Sequence, residues 1–226
     1  MAGREKPNVP TLRRVLLACG LIGPPLFIVV LLIAGATRPG YSAWHDFVSD
    51  LSLGPQGWEQ IANFLVCGAL SLCFAAGLRL TLRSGKGSVW GPIHLSIFGL
   101  GLMLAGVFVT DPVGARPTLH GVIHNNVTPL VFVALALTCF VLARRFAGDP
   151  SWKGWALYSV VTGALVIVFF VATNVVSILD QNRILHRAPV GLLQRIAILI
   201  GWSWIALLAY RLLRGQAGAA AQPREG

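Results

Sequence analysis

Two imidazoles one helical turn apart, His120 and His124, stand in the segment Thr118-Leu-His-Gly-Val-Ile-His-Asn-Asn-Val-Thr128. Residues i and i+4 share a helix face, so both rings can address one metal ion, as in helical zinc motifs. A divalent metal such as zinc is the cofactor this spacing implies. Asp111 leads as third ligand, with His45, Asp46 and Asp50 as the other donors nearby in the loops. The pair lacks the glutamate that makes the zinc-protease motif specific. A metal here would lower the pKa of a bound water and so supply a nucleophile near neutral pH. His45 and Ser49 are also four apart, as are Asp46 and Asp50. His45, Ser49 and Asp50 are therefore the catalytic candidates, with His45 or Asp50 moving protons. Arg195 is the group to hold an anionic headgroup, and Glu59 and Asn174 complete the substrate-binding set. Each has a plainer alternative. Asp46, Asp50 or Asp111 can cap a turn, and Arg195 can ion-pair with Glu59 or Asp111.

The elements that must position these groups are apolar helices. Of 226 residues 55% are hydrophobic and 12% are charged, and the mean hydropathy is +0.72. That is about half the charge of a soluble domain, which excludes an ordinary cytosolic fold, a disordered chain and a disulfide-stapled module. A helix crosses a bilayer core with about 20 apolar residues. Six such stretches occur, at 15–36, 61–82, 89–109, 121–143, 155–179 and 191–213. The fold class expected is all-α: a polytopic membrane protein of six helices forming one domain, residues 15–213. Residues 1–14 form an N-terminal segment and 214–226 a disordered tail. Within the first long connection, Trp44, Phe47, Val48 and Leu51 follow helical spacing. They predict a short amphipathic helix lying at the membrane interface. Thr118 reads as the N-cap of the fourth helix.

Lys and Arg set the orientation. Thirteen of the 18 basic residues fall in the terminal segments and the second and fourth connections, against four in the other three connections. Both termini are expected in the cytoplasm, in the plasma membrane. The formal charge of +10 is thus a topology signal, and no nucleic-acid partner is expected. The four cysteines, Cys19, Cys67, Cys73 and Cys139, all lie in apolar stretches and read as packing residues. Asp46, Asp50, Glu59, Asp111 and Asp180 collect on the outward side with His45, His120, His124 and His186. His94 stands apart, near the cytoplasmic start of the third helix, as a structural histidine. Polar groups at membrane depth face a bundle interior or a cavity, so an outward-opening polar pocket is expected.

The segments Ser49-Asp-Leu-Ser-Leu-Gly-Pro55 with Gly57-Trp58, Phe108-Val-Thr-Asp-Pro112 and His120-Gly-Val-Ile-His124 resemble the family catalogued as domain of unknown function 998. The resemblance covers about 16–213. It implies six membrane helices and weight on the outer loops, and it carries no activity. The residues themselves favour a metal-assisted hydrolase or transferase of a lipid or lipid-linked substrate, with the bilayer and a lipid headgroup as partners. The alternatives are a non-catalytic assembly or sensory factor and a small-solute or proton-coupled transporter. Haem is not expected, because only His124 and His186 approach the facing pair that a b-type haem needs. Small-residue helix faces serve packing within a chain and between chains alike, so no oligomeric state follows.

Overall fold

The computed structural model describes residues 9–221. Six helices are long and apolar enough to cross a membrane, and no strand occurs among the described residues. They are α1 (Val9–Thr37), α2 (Gly57–Thr81), α3 (Trp90–Val107), α4 (Leu119–Phe146), α5 (Trp155–Gln181) and α6 (Val190–Ala221). Backbone polar groups find no water in lipid, and a helix satisfies them internally. The protein is therefore a multi-pass membrane protein. Residues 1–8 and 222–226, the outer parts of the two expected terminal segments, lie outside the described residues. α6 continues through residues 214–221, where a disordered tail was expected. Three consecutive alanines, strong helix formers, lie in that extension.

Each helix packs on its neighbours in sequence, and α6 closes the ring on α1. Short connections make successive helices antiparallel. The connections α1–α2, α3–α4 and α5–α6 therefore gather at one end of the bundle, called the loop end here. An aromatic cluster fills the centre. Phe27 of α1 stacks on Trp202 of α6 at 4.9 Å, and Phe98 of α3 meets Trp202 edge-on at 5.4 Å. Polar side chains on α2 tie it to α1. Asn63 Nδ2 donates to Phe27 O at 3.1 Å, and Cys67 Sγ–H donates to Gly23 O at 3.6 Å. Asn63 thus holds two helices together inside the bundle. His94 donates from Nδ1 to Trp90 O at 2.7 Å, at the opposite end from the loop end.

The first connection differs from expectation. The amphipathic α-helix predicted over residues 44–51 is instead a short 3-10 helix, Val48–Ser52. Val48 and Leu51 are buried inside the bundle, while Trp44 is 54% exposed. In a 3-10 turn residues i and i+3 eclipse, so Val48 and Leu51 share the buried face without a full α-helical stripe. Side chains replace the missing helical bonds. Gln194 Oε1 accepts from Val48 N at 2.7 Å, and Arg38 donates to Leu53 O at 2.6 Å and Leu51 O at 2.9 Å.

Candidate functional site

A cleft of about 670 Å³ opens at the loop end. It lies between α4, α5, the α3–α4 connection and the 3-10 turn. Its walls include Ser49, Asp50, Asp111, His124, Asn125, Thr128, Thr173, Asn174, Ser177, Gln181 and Gln194. Below it lies a chamber of about 60 Å³ lined by Phe27, Phe64, Phe98, Val131, Phe132 and Trp202. That is room for several water-sized groups in apolar surroundings. Ser49, His124, Thr128 and Gln194 line both cavities. These four side chains form the junction between a polar space and an apolar one.

His124 is 4% exposed. Its Nδ1 lies 2.8 Å from Phe108 O and 3.2 Å from Ala105 O, carbonyls at the C-terminal end of α3. A carbonyl only accepts, so Nδ1 carries the proton and caps the end of α3. Nε2 then keeps its lone pair, and it is the ring atom left to accept a proton. Asp111 is not aimed at His124. Its carboxylate accepts from Thr118 N at 2.8 Å and from the Thr118 hydroxyl at 2.7 Å. These two bonds, the backbone one first, hold the Asp111 carboxyl below the usual range. Thr118 in turn accepts from Gly121 N at 3.2 Å and is the N-cap of α4, as its position in the sequence implies. Gly121 is glycine for a steric reason: a Cβ there would meet Asp111 Oδ2 at 1.9 Å. His120 is exposed and stands edge-on to Phe108 at 5.3 Å.

The expected metal set is not assembled in this structure. Among the described residues, no three His, Cys, Asp or Glu side chains come together as a set that can hold a metal ion. The i, i+4 spacing does bring His120 and His124 to one side of α4. One ring is turned inward onto backbone carbonyls, however, and the other rests outside on Phe108.

Of the catalytic candidates, Ser49 and Asp50 line the cleft and His45 does not. His45 Nδ1 lies 3.2 Å from Ala188 O and joins the first connection to the last. Asp50 Oδ2 accepts from Phe47 N at 3.0 Å and so caps the 3-10 turn. Burial, opposed by that bond, pushes the Asp50 carboxyl up to about 6. The nearby Asp46 adds to the rise and Arg195 opposes it.

Of the substrate-binding candidates, Asn174 stands on the cleft wall, while Arg195 and Glu59 are not among its lining residues. Arg195 is occupied by the loop. It donates to Asp46 O at 3.1 Å, to Gly191 O at 3.0 Å and to the Tyr41 hydroxyl. The ion pair with Glu59 or Asp111 is replaced by a backbone clamp. Tyr41 donates onward to Phe47 O at 3.1 Å, and burial pushes its phenol up against the opposing pull of Arg195. Gly191 makes the clamp possible, because a Cβ there would sit 2.3 Å from Asp46 O. Tyr41 and Arg38 are the positioning residues that sequence reasoning passed over. Their partners are main-chain carbonyls, which leave no signature in a sequence.

A family model described as Protein of unknown function (DUF998) matches residues 21–211. The chain belongs to that family. The match takes in most of α1 and α6, all of α2 to α5 and all three connections at the loop end of this DUF998 protein. Comparison with curated proteins gave no match, and comparison with solved structures gave none.

Proposed function

We propose that this DUF998 protein binds an amphiphile, a lipid or lipid-linked molecule, at the outward face of the plasma membrane. The polar end occupies the cleft and the apolar part reaches the chamber. The observation that carries this reading is the junction: Ser49, His124, Thr128 and Gln194 line both a 670 Å³ cleft of mixed polar and apolar walls and a 60 Å³ apolar chamber. Ligand sites pair apolar walls with a few converging polar groups in this way. The outward orientation rests on the 13 basic residues assigned to the cytoplasmic side against four on the other. Ser49, Asp50 and His124 Nε2 are the groups able to exchange protons with the bound molecule, and no metal ligand set is needed for that.

One labelling experiment tests binding and orientation together. Asn174→Cys places a thiol on the cleft wall, while the four native cysteines lie in the helices. A membrane-impermeant thiol reagent is expected to label it in intact cells. Labelling of the delipidated protein should be at least several-fold faster and should slow again when polar lipid extract is returned. No labelling from outside, or a rate indifferent to lipid, overturns the reading.

A further inference from the structure

We infer that the cleft selects an uncharged, hydroxyl-rich headgroup, such as a sugar or polyol carried on a lipid, over an anionic or cationic one. This rests on the amphiphile-binding reading above and names the headgroup class for the same site.

No Lys or Arg is among the cleft's described lining residues. Recognition of phosphate or carboxylate depends on such groups, and above all on the two-pronged guanidinium. Arg195, next to lining Gln194, and Arg38, bonded beside Asp50, are committed elsewhere. Arg195 holds Asp46 O, Gly191 O and the Tyr41 hydroxyl, and Arg38 holds Leu51 O and Leu53 O. Arg116 lies in the connection that forms one wall, yet the residues on either side of it, not Arg116 itself, line the cleft. An anion entering would meet the Asp50 and Asp111 carboxylates, with no cationic side chain among the described lining residues.

A cation fares little better. Both oxygens of Asp111 are engaged by Thr118. Asp50 is left, with Oδ2 already accepting from Phe47 N. That leaves a single carboxylate oxygen, Asp50 Oδ1, to face a cation. An ammonium headgroup also prefers a cage of open aromatic faces. The cleft offers Phe47 and Phe170, and Phe170 stacks on Phe132 at 4.7 Å.

What the walls offer in quantity is amides and hydroxyls. Asn125, Asn174, Gln181 and Gln194 converge from α4, α5 and α6, with Ser49 from the 3-10 turn. An amide presents a donor and an acceptor side by side, and a hydroxyl group is itself both donor and acceptor. Gln194 spends Oε1 on Val48 N, which leaves Nε2 as a donor. Asn174 spends Nδ2 on Phe170 O, which leaves Oδ1 as an acceptor. Such a mixed set matches several hydroxyls on one ring and has no strong partner for a single charge.

The test uses full-length protein in phosphatidylcholine nanodiscs. Monoglucosyl diacylglycerol, phosphatidylglycerol and phosphatidylethanolamine of identical acyl chains compete for the bound position, with free glucose as a fourth arm. Native mass spectrometry counts the occupant. The glucolipid is expected to win by about tenfold or more over the two phospholipids. Asn125→Leu with Asn174→Leu, both at exposed positions, should erase that preference while leaving an amphiphile bound. Preference for phosphatidylglycerol or phosphatidylethanolamine, or a glucolipid preference that survives both substitutions, overturns the headgroup assignment alone. Free glucose competing as well as the glucolipid overturns the lipid linkage. Absence of any retained amphiphile overturns the parent reading.

Discussion

Asp50 is the residue whose chemistry the fold alters most visibly. Its carboxyl sits on the cleft wall, and burial raises its pKa from 3.8 to about 6. A group whose folded pKa is raised favours the folded state below its unfolded pKa. That contribution is lost as pH climbs through the folded value. Stability should therefore fall between about pH 4 and pH 6, by about 3 kcal/mol for a shift of this size. Asp50→Asn keeps an oxygen for Phe47 N and cannot ionise. Thermal melts across that window should show the wild-type decline flattened in the variant, and an unchanged slope would refute the assignment. The other residues of the site divide by how they are satisfied. His124 and Asp111 carried a chemical signature in sequence because imidazoles and carboxylates are rare in apolar surroundings. Their partners, the carbonyls of Ala105 and Phe108 and the Thr118 backbone, carried none. This is why position was legible and the expected metal role was not.

At the scale of elements, the first connection is a plug held by side chains from three places. Arg38 grips the end of the 3-10 turn, Gln194 its start, and Arg195 the turn before it. Hydrogen bonds to charged groups are worth about 1.5–3 kcal/mol each, so the clamp contributes more than the turn's own few bonds. The close approach of α6 to residues 43–46 depends on Gly191, since a Cβ there would meet Asp46 O at 2.3 Å and Ala43 O at 2.7 Å. Gly191→Ala must push the loop outward, at a cost of about 1–3 kcal/mol typical of overpacking. Melting of the purified protein should show the loss, and hydrogen exchange should localise it to residues 41–53. Protection there equal to wild type would contradict the clamp. The helical spacing of Trp44, Phe47, Val48 and Leu51 was readable, but the choice of 3-10 over α was not. That choice belongs to Arg38 and Gln194, the latter nearly 150 positions away.

Across the whole molecule, the division of labour follows depth. Six spans were legible because each apolar run must satisfy its own backbone in lipid, and their observed ends differ from expectation by a few residues at most of the boundaries. The extension of α1 back to Val9 and of α6 to Ala221 was not legible, because polar and basic residues there mark the end of the membrane rather than of the helix. The polar pocket was anticipated from residues at one end of the bundle. Its apolar continuation was not, because its walls come from side chains on separate helices, Phe27, Phe98, Phe132 and Trp202 among them, whose meeting leaves no pattern along the chain. The central claim is that cleft and chamber together hold one amphiphile. Thr128 stands at the junction and gives its hydroxyl only to His124 O within α4. Thr128→Phe adds bulk at the residues the two cavities share, and Thr128→Val keeps the side chain's shape. Native mass spectrometry of stringently delipidated protein reloaded with polar lipid extract reads the result directly. One amphiphile retained by wild type and Thr128→Val, with none on Thr128→Phe, is the predicted outcome. Equal retention by all three, or none by wild type, would contradict the account.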